Sequence, residues 1–239
     1  MKISWNPKEI SKNPKKAYQN FYSTVTNAVK RKQSINDSHF YAEFKTFADV
    51  YEKQAKTEEL TTMSRSLIEY FVSQGQNNLA GIAYSILIKL NYKNPQVVET
   101  LALNGLAIAK RANDPVHIAS RARDLVDLYE RTNRGSDEHI KYLRLANKAL
   151  TDVCKNYSTS VNSRFNSISR TLKPLENYEL MLCTTKLDIV KYTYKQDIFN
   201  AKGELEKAKA LYEKNKNSAN VKTLGILSRR IAKWEAEIN

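Results

Sequence analysis

The sequence predicts an all-α protein, with a helical-repeat (α-solenoid-like) body and a C-terminal coiled-coil-like helical hairpin. Three observations carry this. Only 6 Gly and 5 Pro occur in 239 residues, so little interrupts helix propagation. Apolar residues recur three and four positions apart over most of the chain, the period of an amphipathic helix. Short polar turns punctuate that pattern, and helix pairs recurring at about 40 residues are the mark of an α-solenoid.

The first helix is expected to begin at Asn13-Pro14, a capping residue followed by proline at the first helical position. Its apolar stripe is Tyr18, Phe21, Tyr22, Val25, Ala28 and Val29, and Lys30-Arg31-Lys32 complements the negative helix end. After a break at residues 33–37, a second helix carries Phe40, Phe44, Phe47, Ala48 and Tyr51. From about Glu58 to Tyr157, turns fall at Gly75-Gln76-Asn77-Asn78, Lys93-Asn94-Pro95, Asn113-Asp114-Pro115 and Asn133-Arg134-Gly135-Ser136. Turns this short make successive helices antiparallel neighbours.

One helix pair in this stretch resembles the tetratricopeptide repeat. Leu67-Ile68, Phe71, Gly75, Ala80, Tyr84 and Leu87-Ile88 stand where that family places its large, small and turn residues. The next pair matches at Leu103-Asn104, Leu106-Ala107, Asp114, Ala119 and Val126, but has Lys110 and Arg123 where aromatics belong. Neither pair has the family's closing proline, and a third unit around Leu143, Leu145, Ala146 and Leu150 is fainter. The resemblance spans about residues 58–133. It implies stacked helix pairs whose concave face binds a peptide or protein segment.

Residues 156–174 are rich in Ser and Asn, with Arg164, Arg170 and Lys173 following Lys155 and no acid between Asp152 and Glu176. They read as a basic linker or loop. Beyond Pro174, one long helical pattern runs through Leu180, Cys183, Leu187, Val190 and Tyr194. It shifts by one residue to Ile198, Ala201, Leu205, Ala208 and Tyr212, as a stutter does. Gly203 lies within it, as expected of a bend or a close contact. A turn at Asn215–Ser218 then leads to Leu224, Leu227, Ile231, Trp234 and Ile238. Tyr192 and Tyr194 cannot both lie on this seam. The chain thus divides into basic N-terminal helices (1–57), a helical-hairpin repeat body (58–155), the basic linker or loop (156–174) and the C-terminal hairpin (175–239).

Function classes narrow by elimination. Two Cys cannot staple a secreted scaffold. The start of the chain lacks the apolar run of a signal peptide, and the apolar stretch Leu79–Ile88 is about half a membrane span. A soluble, cytoplasmic protein is expected. The 6 Gly are scattered singly, so no phosphate-cradling loop is present. His39, His117 and His139 have no ligand spacing, and no metal site is expected. Asp137-Glu138-His139 reads as acids at a helix start rather than as a catalytic cluster. No catalytic residue and no cofactor are expected.

The net charge is +14, with Lys outnumbering Arg 27 to 12 and 22 Asn; part of this excess is the mark of an AT-rich coding sequence. Its distribution is uneven: residues 1–50 carry +5 and residues 51–100 carry none. The leading expectation is a non-enzymatic scaffold or adaptor for a protein or peptide partner, with homodimerisation through the C-terminal hairpin as a further expectation. The alternative is an RNA- or single-stranded-DNA-binding protein using Lys8, Lys12, Lys15, Lys16, Lys30, Arg31, Lys32, Lys155, Arg164, Arg170 and Lys173. A solvated lysine-rich surface competes with that alternative.

Overall fold

A computed structural model describes residues 6–156, 174–218 and 220–238, and 84% of them are helical. Among the described residues there are eleven helices and no strand. They are α1 (Pro7–Lys12), α2 (Pro14–Lys30), α3 (Asp37–Lys53), α4 (Thr57–Ser73), α5 (Asn77–Leu90) and α6 (Pro95–Arg111), then α7 (Pro115–Arg131), α8 (Ser136–Lys155), α9 (Pro174–Thr193), α10 (Ile198–Asn215) and α11 (Val221–Ile238). No helix among the described residues is long and apolar enough to cross a membrane. The chain forms two compact units, residues 1–112 and 113–239. The boundary falls within the stretch read as one repeat body, between the helices of its second repeat-like pair.

Side-chain caps start α1, α2, α3, α6, α7 and α10, whereas α4, α5 and α8 have none. Helix α1, capped by Asn6, precedes Asn13-Pro14, where the sequence pattern places the first helix. Asn13 accepts from the Lys16 amide at 3.1 Å, with Pro14 at the first helical position. Asn36, Asn94 and Asp114 cap α3, α6 and α7 in the same way. The helix ends show a device that residue type hides. Lys32, Ala55, Gly75 and Asn133 each follow a helix with positive φ, from 52° to 68°. At each, two backbone bonds reach back into the last turn, such as Ala55 N–H to Glu52 C=O (3.0 Å) and Lys56 N–H to Tyr51 C=O (2.9 Å). This is the left-handed closure that satisfies orphan carbonyls.

Glycine enters the left-handed region freely, whereas a Cβ there costs about 1 kcal/mol. Ala55→Gly is therefore expected to raise stability by about 1 kcal/mol, less the added freedom of the unfolded chain. Gly75→Ala is expected to lower it comparably, because a Cβ at Gly75 meets nothing within 4 Å and only backbone strain remains. Urea unfolding of the two variants checks this; a loss of stability on Ala55→Gly counts against it.

In the first unit, α2 and α3 bury the predicted aromatics. Phe21 lies 5.0 Å from Phe47, 6.0 Å from Phe40 and 6.2 Å from Phe44, between ring centroids. Phe40 meets Phe71 of α4 edge-on at 5.4 Å. Tyr18 donates to Ser64 Oγ at 3.2 Å, and its phenol is raised far above the usual range, chiefly by burial. In the pair α4–α5, Leu67, Phe71, Ala80 and Leu87 are fully buried.

In the second unit, α7 packs on α8, α8 on α9, and α9 on α10 and α11. Leu180, Cys183, Leu187, Val190, Ala201, Leu205, Ala208, Leu224, Leu227, Ile231, Trp234 and Ile238 form one buried cluster, with Tyr194 and Tyr212 against it. The predicted seam is present, but three helices carry it. The expected stutter is a chain reversal: α9 stops at Thr193, and Asp197 caps α10 through the Asn200 amide at 2.9 Å. Ile198 is consequently 53% exposed. Gly203 is exposed, with nothing near an added Cβ, so it marks no close contact. A second cluster joins Ala149, Leu150 and Val153 of α8 to Tyr178 and Leu182 of α9. The C-terminal helices thus continue the packing of α8 rather than standing apart.

Ion pairs cross this unit, and one of them, Lys186–Glu204, is buried. Lys186 (α9) donates to Glu204 (α10) and to Asn147 (α8), each at 2.9 Å. Asp188 bridges Arg123 of α7 and Arg230 of α11, and Lys191 pairs with Glu130. Arg123, four residues before Asp127, and Glu130, four before Arg134, thus reach across to α9. Burial pushes the thiols of Cys154 and Cys183 up to about 11, so neither is a reactive thiolate at neutral pH.

Candidate functional site

A concave site lies in the first unit, where α4 and α6 run past α5. On α4, Thr61, Arg65, Ile68 and Glu69 share one face; on α6, Gln96, Val97, Thr100, Leu101 and Asn104 do the same. Tyr84 of α5 contributes the base, and the cavity measures about 400 Å³. Thr61, Ile68, Tyr84 and Leu101 are buried and form the floor. Arg65, Glu69, Gln96, Thr100 and Asn104 are exposed and form the rim.

Local chemistry holds the walls. Asn94 and Pro95 start α6, and Glu58 and Glu59 occupy the first turn of α4, where the helix dipole favours acids. Asn91, buried after the end of α5, donates to Thr61 Oγ1 at 2.8 Å and to Leu87 C=O at 2.8 Å. That bond ties the floor of α4 to α5. Among the described residues, the side chains of Arg65, Glu69, Gln96 and Asn104 form no hydrogen bond or ion pair. The rim thus offers amides, one guanidinium and one carboxylate above an apolar floor, with no net charge.

The predicted basic residues lie elsewhere. Lys8 and Lys12 are on α1, and Lys15 and Lys16 are in the first turn of α2. Lys30, Arg31 and Lys32 stand at its other end. All seven are exposed. At 1.5 Å per residue, Lys16 and Lys30 are about 21 Å apart along the axis, so they form two clusters rather than one. Lys155 is exposed in the last turn of α8. Arg164, Arg170 and Lys173, with most of the predicted linker, lie outside the described residues.

His117 contacts Asp114 at 2.8 Å and His139 contacts Gly135 C=O at 3.0 Å. Among the described residues, no group of three or more His, Cys, Asp or Glu is placed to hold a metal. Asp137 and Glu138 occupy the first turn of α8, the role their sequence position suggests.

Sequence reasoning missed the groove rim. A signal was present: Gln96, Thr100 and Asn104 form an uncharged polar stripe at four-residue spacing, in a chain with 27% charged residues. Its meaning depends on which helix stands opposite. No protein-family model and no curated protein matches the chain.

Proposed function

We propose that the protein is a non-enzymatic helical-repeat scaffold that binds an extended peptide segment of a partner protein in the α4–α6 groove. One observation carries the reading: an apolar floor of Ile68, Tyr84 and Leu101 lies under rim side chains uncommitted within the unit. An extended segment presents side chains to such a floor and backbone amides to Gln96 and Asn104, which both donate and accept. The neutrality of residues 51–100 suits a partner chosen by shape and hydrogen bonding rather than by charge.

The test is selection from a displayed random-peptide library, followed by fluorescence polarisation of the selected peptides. Asn104→Trp fills the groove from an exposed position, whereas Ser66→Trp adds the same bulk to α4 outside it. Asn104→Trp is expected to weaken binding about tenfold or more, or 1.4 kcal/mol, with Ser66→Trp near wild type and both variants fully helical by circular dichroism. Equal binding to Asn104→Trp and wild type, or a library that yields no binder, overturns the reading.

A further inference from the structure

The second unit holds a separate pocket lined by aromatic and lysine side chains. The reversal after α9 crowds Lys191, Tyr192, Tyr194, Lys195 and Gln196 at one end of that helix. α11 brings Lys233, Trp234 and Glu237, and Ser136 opens α8 beside them; the cavity is about 460 Å³.

Neighbours set the orientation of the rings. Tyr192 stacks on buried His139 at 4.6 Å and 23°, and Tyr194 leans on Trp234 at 4.9 Å and 54°. Trp234 is buried and the two tyrosines are half-buried, whereas Lys191, Lys195 and Lys233 are exposed. The pocket therefore has an aromatic floor and a cationic rim. Each ammonium sits near a ring: Lys191 is 5.0 Å from the Tyr192 centroid, Lys195 is 5.7 Å from that of Tyr194, and Lys233 is 5.0 Å from that of Trp234. Lys191 is paired with Glu130, and Lys233 is 3.6 Å from Glu237. Among the described residues, Lys195 has no carboxylate partner.

We propose that this pocket binds a nucleotide unit, its base against the rings and its phosphate at the lysine rim. Flat aromatic surfaces favour a flat ligand, and stacking of a base on an aromatic side chain tolerates any base. Three lysines against Glu237 and the Glu130 that pairs with Lys191 leave the rim net positive, which favours an anion. An acidic peptide satisfies the lysines but sets nothing flat against Tyr192, Tyr194 and Trp234. The cation–π contacts supply a route in. An ammonium over a ring occupies the place of a base, and an arriving phosphate draws the flexible lysine outward and uncovers the ring. Gln196, Ser136 and Glu237 offer donors and acceptors to the base edge. A free nucleotide and one residue of a single strand share this chemistry.

The test uses the full chain with Trp5→Phe, which leaves Trp234 as its sole tryptophan. Its fluorescence is followed during titration with AMP, with a short single-stranded RNA and with inorganic polyphosphate. Quenching by AMP assigns the pocket to free nucleotides, and quenching by the RNA alone assigns it to a single strand; either result upholds the proposal. Lys195→Gln with Lys233→Gln is expected to weaken binding about tenfold at low salt. Lys15→Gln with Lys16→Gln, the same change of charge in the first unit, is expected to leave the quench in place. Unchanged Trp234 fluorescence, equal loss in both double variants, or polyphosphate binding as tightly as RNA overturns the proposal.

Discussion

Glu204→Leu is expected to destabilise the protein by about 3 to 5 kcal/mol, the cost of stranding a buried charge. Lys186 is 7% exposed and Glu204 is 8% exposed. Without the carboxylate, the Lys186 ammonium keeps only the Asn147 amide oxygen at 2.9 Å, a neutral acceptor that cannot offset desolvation. Lys186→Met combined with Glu204→Leu removes both charges and is expected to recover most of the loss, because an apolar pair of similar volume often packs as well as a buried ion pair. Urea unfolding of the single and double variants measures the coupling. A single variant that unfolds with wild type would show that the pair is solvated in solution.

The same pair sets a pH dependence. Burial pulls the Glu204 carboxyl upward, but hydrogen bonds from Lys207 and Lys186 outweigh it and hold the group below its ordinary 4.5. A folded value below the unfolded one means that the carboxylate stabilises the fold above pH 4.5 and loses that contribution as pH falls through the folded value. Glu204→Gln is expected to flatten this part of the acid unfolding profile.

Phe21→Ala is expected to cost about 3 to 5 kcal/mol, the range for truncating a buried phenylalanine. Phe21 is 1% exposed and meets Tyr18, Phe40, Phe44 and Phe47 within 6.2 Å between ring centroids. Four rigid rings cannot collapse into the space, so the cavity persists and the cost lies toward the upper end. Phe21→Leu keeps most of the volume and is expected to lose less than half as much. Since natural domains are stable by about 5 to 15 kcal/mol, the alanine variant is expected to lose much of its margin, measured as a lowered urea midpoint. A shift no larger than that of leucine would mean that the cluster repacks.

Much of the architecture was legible because helical periodicity is a local property. Asn13-Pro14 announces α2, since a side-chain cap and a missing N–H need no tertiary partner. The C-terminal seam was readable nearly residue by residue, as burial requires apolar side chains at three-four spacing wherever a partner helix comes from. Ile198 was misread because a one-residue shift of phase looks alike for a stutter and for a reversal. Lys32 and Ala55 gave no turn signal, since their positive φ is imposed by the hydrogen bonds that close the preceding helix rather than by side-chain preference.

The candidate sites were less legible, for a different reason. Gln96, Thr100 and Asn104 look like an ordinary solvated stripe until α4 is seen to stand opposite. Tyr192 and Trp234 lie far apart in sequence and become one floor only when α9 and α11 pack together. Arg123 has Asp127 four residues on along its own helix and Glu130 has Arg134 just beyond it, yet Arg123 pairs with Asp188 and Glu130 with Lys191, both on α9.

An all-α chain, several helix starts such as that at Asn13-Pro14, and most of the buried faces are legible in the sequence, because spacing, caps and scarce Gly and Pro act over a few residues; the starts of α1 and α10 are not. Where the chain separates into two units, which charges are buried, and where the groove and the aromatic pocket form emerge only from the packing of the helices. Those depend on pairings between distant segments, and a side chain's pattern along its own helix does not specify its neighbour across a helix interface.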